Sequence, residues 1–262
     1  MPMPLPPSHR HLLDHPIIGD RYFFPRAGTH PDPFLVRTSD GLELACWRSA
    51  PPSTRPVLLH FHGNGELVGD WIELFEGELA PAGVDLFFAE YRGYGDSTGV
   101  PRLASMLDDV SAVVDALGVP PERVVVMGRS VGSIYAIEAV ERHPQMRGLV
   151  LESGIHDVLQ RLLLRLYPHE LGASEDALRA AVAACFDHGR KLRGYCGPSL
   201  VLHAENDHLV PIDHAERNHA AAGGHPKQLV RFSRGDHNSI VFANRDRYFQ
   251  VLRAFLGACF GD

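Results

Sequence analysis

Three residues far apart in the chain carry side chains that together could run nucleophilic acyl transfer: Ser130, Asp207 and His237. A serine hydroxyl is a poor nucleophile at neutral pH. It needs a base within hydrogen-bond reach, and the base needs a partner that fixes its tautomer. Gly128-Arg129-Ser130-Val131-Gly132 has the form G-x-S-x-G and lies between the apolar run VVVM and a helical stretch. A tight strand-to-helix turn of this kind strains the serine, and the flanking glycines remove side chains that would clash. It also sets the hydroxyl at a helix N-terminus, where the dipole favours negative charge. On its own, the same pattern describes a glycine-rich turn with an N-capping serine.

The other two candidates follow in order. Asp207 ends the run LVLHAEND and precedes Val210-Pro211, where an aspartate is also a common turn or capping residue. Glu205 beside it and Glu152 at the end of GLVLE compete for the role of acid. His237 lies in FSRGDHNSI, a loop after the last apolar run, whereas most of the other histidines fall in the N-terminal segment, on strands or in apparent helices. Acyl transfer also develops charge on the carbonyl oxygen, and fixed N–H donors must meet it. His62-Gly63-Asn64-Gly65 follows an earlier apolar run, so the expected donors are the backbone amides of Asn64 and Val131. A phosphate-binding loop is the rival for that turn, but GxxxxGK[ST] is absent and no lysine is nearby.

The elements that would position these residues alternate. PVLLHFHG, VDLFFAEYRGYG, ERVVVMG, GLVLESG, PSLVLHAEND and KQLVRF contain strands, PVLLHFHG and ERVVVMG being of the continuous apolar kind buried on both faces. Helical patterns separate them at 67–82, 102–117, 131–143 and 212–222, and a closing amphipathic helix covers 241–260. FLVRTSDGLELACWR reads as an antiparallel pair joined at Ser39-Asp40-Gly41. The expectation is an α/β fold with an eight-stranded, mostly parallel sheet, and the three candidates stand at C-terminal strand ends, the edge where such sheets build sites. Residues 1–32 read as an irregular arm because of their prolines and histidines, and 33–262 as the folded domain. Helical material at 155–196 interrupts the alternation after the sixth strand and reads as a small lid.

HFHGNGE, EYRGYGDSTG, MGRSVGS, HAENDHLVP and GDHN together resemble the α/β-hydrolase superfamily, over roughly residues 33–260. The resemblance is closest to small serine hydrolases with an HGN oxyanion turn and a Y-R-G-Y-G-x-S loop. That group includes bacterial esterase-like, serine-aminopeptidase-like and palmitoyl-thioesterase-like proteins. It implies Ser130 as nucleophile, Asp207 as acid, His237 as base, and Asn64 with Val131 as oxyanion donors. The function it implies is cleavage of carboxylic esters or thioesters through an acyl-enzyme. Peptidase or acyl-protein thioesterase activity uses the same triad, and a non-catalytic binding module of the same fold is the alternative of a different class. HGNG here sets the chain apart from lipases with an HGGG loop, and no cysteine precedes Cys46, where membrane-anchored depalmitoylases carry a cluster.

For the substrate pocket the expected residues are Leu209 and Val210 beside the acid, Tyr94, and Leu159 and Leu163 on the lid. The lid's apolar face, Leu159, Leu162, Leu163, Leu166 and Tyr167, is either an acyl-binding wall or core packing. Arg129 could pair with a carboxylate such as Glu152.

Composition limits the partners. A formal charge of −7 gives no long-range attraction to nucleic acid or anionic lipid. No stretch approaches the roughly 20 apolar residues of a membrane span, and the N-terminus lacks a secretory apolar core. The expectation is a cytoplasmic protein, monomeric or weakly self-associating, acting on a small-molecule ester or acyl substrate. No metal or organic cofactor is expected, since no HExxH or Cys/His cluster with zinc spacing occurs. Cys46, Cys185, Cys196 and Cys259 read as buried free thiols, with a Cys185–Cys196 bridge as the alternative.

Overall fold

The computed structural model describes residues 7–30 and 32–261. Its strands are β1 (Phe34–Arg37), β2 (Glu43–Arg48), β3 (Val57–Phe61), β4 (Asp85–Ala89), β5 (Val124–Arg129), β6 (Gly148–Glu152), β7 (Ser199–Ala204) and β8 (Lys227–Phe232). They form one sheet in the order β1-β2-β4-β3-β5-β6-β7-β8. The ladders β1·β2 and β2·β4 are antiparallel and the rest are parallel. The central strands are buried along their whole length, and their side chains alternate between two cores. Val57, Leu59, Phe61, Val124 and Val126 face one, while Leu58, Val125, Met127 and Val150 face the other. Burial on both faces is why these strands are continuous apolar runs rather than alternating ones.

The helices are α1 (Pro7–Leu13), α2 (Pro16–Tyr22), α3 (Ile72–Leu79), α4 (Met106–Ala116), α5 (Gly132–Arg142), α6 (Val158–Leu163), α7 (Glu175–Phe186), α8 (His188–Gly194), α9 (Ile212–Ala221), α10 (Ile240–Ala243) and α11 (Arg245–Phe260). The insertion between β6 and β7 is therefore helical, as its sequence pattern indicates. Its first helix is short: Asp157 caps it by accepting from the Gln160 amide at 3.0 Å, and it stops before the extended Tyr167 that precedes Pro168. All four cysteines are free. Cys185 is buried and Cys196 exposed, so the bridge between them does not form and only three of the four thiols are buried.

The segment read as an irregular arm contains two helices, α1 and α2, and each begins on a proline. At a first helical position proline costs no hydrogen bond and arrives with its φ already helical, so these prolines start helices rather than break them. Residues 23–30 of the same segment form neither helix nor strand, as an irregular arm would, and residues 1–6 and 31 lie outside the described residues. Leu13 and Ile18 are fully buried in the main core. Asp14 accepts hydrogen bonds from the Ala104 and Ser105 amides at 2.8 and 3.0 Å, which ties the segment to the start of α4. Truncating Ile18 to alanine should lower the free energy of unfolding by about 2–5 kcal/mol, read by urea denaturation. A change near zero would mean that the segment is not part of the cooperative core.

Candidate functional site

β5 runs directly into α5 through Ser130, which has φ 52°, in the left-handed region that a non-glycine residue seldom occupies. The neighbouring glycines make this turn feasible. A Cβ on Gly132 would sit 2.1 Å from the Phe61 carbonyl oxygen, and one on Gly128 would sit 2.4 Å from that of Gly132. Backbone cannot yield as the end of a side chain can, so both positions exclude any other residue. The turn is stitched by Ser130 N–H donating to the Glu152 carbonyl at 2.8 Å. The Ser133 hydroxyl donates to the Ser130 carbonyl at 2.6 Å and accepts from the Ile155 amide at 2.8 Å.

The structure brings Ser130, His237 and Asp207 together. His237 Nε2 lies 2.9 Å from Ser130 Oγ, and His237 Nδ1 lies 2.7 Å from Asp207 Oδ2. With the Nδ1 proton donated to the carboxylate, Nε2 is left as acceptor for the serine hydroxyl. The other carboxylate oxygen accepts from the amides of Leu209 and Val210 at 3.0 and 2.8 Å. Burial is the largest influence on the Asp207 carboxyl and opposes its ionisation. The hydrogen bond and charge of His237, with the Val210 amide, outweigh it and hold the carboxyl below its ordinary value. The two competing acids lie elsewhere: Glu205 is exposed, and Glu152 is buried against Arg129 and the Tyr248 hydroxyl.

Arg129, between the glycine and the serine, does more than pair with Glu152, whose Oε1 is 3.1 Å from its Nε. It also pairs with Glu66 and donates from Nη2 to the His237 carbonyl at 2.7 Å. One buried guanidinium thus joins the elbow, the loop after β3 and the histidine loop. Burial pushes the Glu152 carboxyl up, and Arg129 and Tyr248 only partly offset it.

The turn after β3 holds Asn64 beside Val131 in the wall of one cavity with Ser130 and His237. The Asn64 side chain is engaged at both ends: its Oδ1 accepts from the Phe24 amide at 2.9 Å and the Tyr94 hydroxyl at 2.7 Å, and its Nδ2 donates to the Tyr22 carbonyl. Below the turn, His62 lies between two acceptors, with Nε2 2.6 Å from Glu90 and Nδ1 2.8 Å from the Gly63 carbonyl, an arrangement that the imidazolium satisfies. Burial alone would lower its pKa, but the Glu90 charge and hydrogen bond, with Glu66 and Gly63, raise it.

The cavity has a volume of about 230 Å³. Leu209 and Val210 line it, as their place beside the acid suggests. Tyr94, Leu159 and Leu163 do not. Tyr94 is fully buried and supports Asn64, while Leu159 and Leu163 pack on the main core with Leu162 and Leu166, so the lid's apolar face is core packing except at Tyr167, which is exposed. Tyr22 and Phe24 from the N-terminal segment, Ile155, Arg161 and Arg165 from the insertion, and Asn238 take their place. The helical period of 159–167 marks which residues face the core, so the wall had to come from positions off that stripe. Arg161 was the legible signal.

Part of the chain, residues 52–171, matches the family model of serine aminopeptidase, S33. Protein bem46 of Schizosaccharomyces pombe is 27% identical over 229 residues, covering 84% of this chain and 75% of that protein. Human alpha/beta hydrolase domain-containing protein 17B is 25% identical over 186 residues, covering 69% of this chain and 60% of that one. An esterase from Pyrococcus furiosus superposes with a TM-score of 0.71 at 15% identity, over 88% of this chain and 97% of its own.

A histidine held protonated by folding stabilises below its unfolded pKa, here the ordinary 6.5, and the contribution is lost as pH rises through the raised folded value. The unfolding free energy should therefore fall more steeply above pH ~6.5 in the wild type than in His62→Gln. Urea titrations at several pH values check this, and parallel slopes would contradict it.

Proposed function

We propose that the chain, which has the α/β-hydrolase fold and is similar in sequence to proteins of that superfamily, is a serine hydrolase that cleaves carboxylic esters through an acyl-enzyme intermediate. The observation that carries the reading is the unbroken relay from Ser130 Oγ through His237 to Asp207, at 2.9 and 2.7 Å, at the wall of a cavity. In this mechanism His237 Nε2 takes the hydroxyl proton as Ser130 Oγ attacks the ester carbonyl. Asp207 stabilises the imidazolium, and the amides of Asn64 and Val131 hold the oxyanion. The C–O bond breaks, His237 delivers its proton to the departing alcohol, and the acyl group stays on Ser130. Water then attacks with His237 again as base, releasing acid and restoring the hydroxyl.

Two features favour esters over the substrates of similar proteins. None of the residues lining the cavity is acidic, so a free α-ammonium group of a peptide would meet Arg161 and Arg165 instead of a carboxylate. The cavity volume of about 230 Å³ lies below the roughly 300–1,000 Å³ of pockets that hold drug-sized ligands, which suits a short acyl group better than a palmitoyl chain.

A fluorophosphonate probe should add one mass equivalent to the wild type and none to Ser130→Ala. Ser130→Ala should lose about 10⁴-fold or more in kcat on 4-nitrophenyl butyrate, and Asp207→Asn a comparable factor, with circular dichroism unchanged. Retention of most activity in Ser130→Ala would falsify the assignment. Across 4-nitrophenyl esters, kcat/KM should fall by about tenfold or more from butyrate to dodecanoate, because the longer chain leaves the cavity. A profile that rises with length would show that the acyl group lies elsewhere.

A further inference from the structure

Arg161 and Arg165 both line the cavity that holds Ser130 and His237. Among the described residues the Arg161 side chain makes no hydrogen bond or ion pair. Arg165 donates once, to the Arg21 carbonyl at 3.4 Å, and its guanidinium lies 5.1 Å from the centre of the Phe24 ring, leaving most of its five donors unengaged. Neighbouring charges are satisfied without them. Arg21 pairs with Glu170 through two hydrogen bonds of 2.8 Å, Arg217 with Asp157 at 3.3 Å, and Arg129 with Glu66 and Glu152.

The third group is Tyr22, which is 5% exposed and lines the same cavity. Its hydroxyl is buried with no hydrogen-bond partner among the described residues. A buried hydroxyl without a partner is costly in a folded protein and points to a group that arrives from outside. Burial raises its pKa to about 12 while Arg161 and Arg165 pull it down, so both cations act on this oxygen.

We propose that the cavity selects esters carrying a second, anionic group, a carboxylate or a phosphate, which Arg161, Arg165 and the Tyr22 hydroxyl receive while the ester carbonyl lies at Ser130. The inference rests on the ester-hydrolase reading and names the substrate class of that site. A guanidinium presents parallel N–H donors that match two oxygens of either anion. Tyr22 supplies a neutral donor where neither arginine is hydrogen-bonded to it. Long-range steering cannot provide this selectivity, since a chain of formal charge −7 repels anions at a distance. The attraction must come from the cavity itself.

The test compares esters that differ only in charge. Mono-4-nitrophenyl glutarate against its methyl ester places the charge on the acyl side. 1-Butyryl-glycerol 3-phosphate against monobutyrin places it on the alcohol side. At least one charged member should exceed its neutral match by about tenfold or more in kcat/KM. Whichever pair responds identifies the side that carries the anion. The ratio should fall towards one in Arg161→Gln/Arg165→Gln, fall severalfold in Tyr22→Phe, and shrink with added salt. Equal rates within both pairs, or a preference that survives in the double variant, would overturn the proposal.

A binding measurement separates this inference from its premise. In Ser130→Ala, calorimetry with monomethyl glutarate and with glycerol 3-phosphate reads the anion site alone. Binding that needs both arginines, with no ester turned over by the wild type, would support the anion site and refute ester hydrolysis. Turnover of neutral esters with neither binding nor preference would refute the anion site and leave hydrolysis standing.

Discussion

Ser130 is held at φ 52°, a conformation that costs a non-glycine residue about 1–3 kcal/mol unless its surroundings enforce it. Three constraints do so here. β5 is fixed in register between β3 and β6, α5 starts within two residues, and the Phe61 carbonyl oxygen leaves no room for a side chain at Gly132. The serine is the one residue in the turn that cannot relax into the strand or the helix. Its hydroxyl consequently stands off the sheet edge, where the histidine loop after β8 can reach it. The rest of the site depends on this, because the Asp207 carboxylate, the His237 imidazole and the neighbouring backbone amides are all placed relative to one oxygen.

Behind that oxygen the protein buries charge. Arg129 joins three segments through Glu66, Glu152 and the His237 carbonyl, and His62 with Glu90 supports the turn after β3. Burying ions is expensive, and such pairs are poor evidence of added stability, since removing one partner leaves the other uncompensated. What they do provide is position. A hydrophobic contact can slide by a fraction of an ångström, whereas a guanidinium paired with two carboxylates and donating to a carbonyl restrains the spacing between the loops that carry the hydroxyl and the imidazole. The same logic applies to Asn64, whose side chain is engaged on both ends so that its backbone is held still.

The parts legible in the sequence are those set by local physics. The five central strands were readable because a strand buried on both faces must be apolar throughout, β1 and β2 because a hairpin turn joins them, and the elbow because its glycines are sterically obligatory. Ser130, Asp207 and His237 could be placed at strand ends from that pattern alone. The cavity wall was not readable in the same way. Tyr22 and Phe24 reach it across about forty residues to Asn64, and no periodicity encodes such a meeting. The prolines of α1 and α2 misled because proline breaks a helix interior but suits its first turn. Leu159 and Leu163 misled because an apolar helical stripe says only that something covers it, and here the core does.

The hydrogen bonds between Asn64 and the Tyr22–Phe24 stretch have an evolutionary consequence. They make the Tyr22–Phe24 stretch one wall of the cavity, while Ser130, Asp207 and His237 stand at the ends of sheet strands. On the proposed reading, selectivity and chemistry are written in separate stretches of gene. A lineage could exchange the segment that carries Tyr22 and Phe24, or redraw the insertion that carries Arg161, and acquire new substrates while the relay stays untouched.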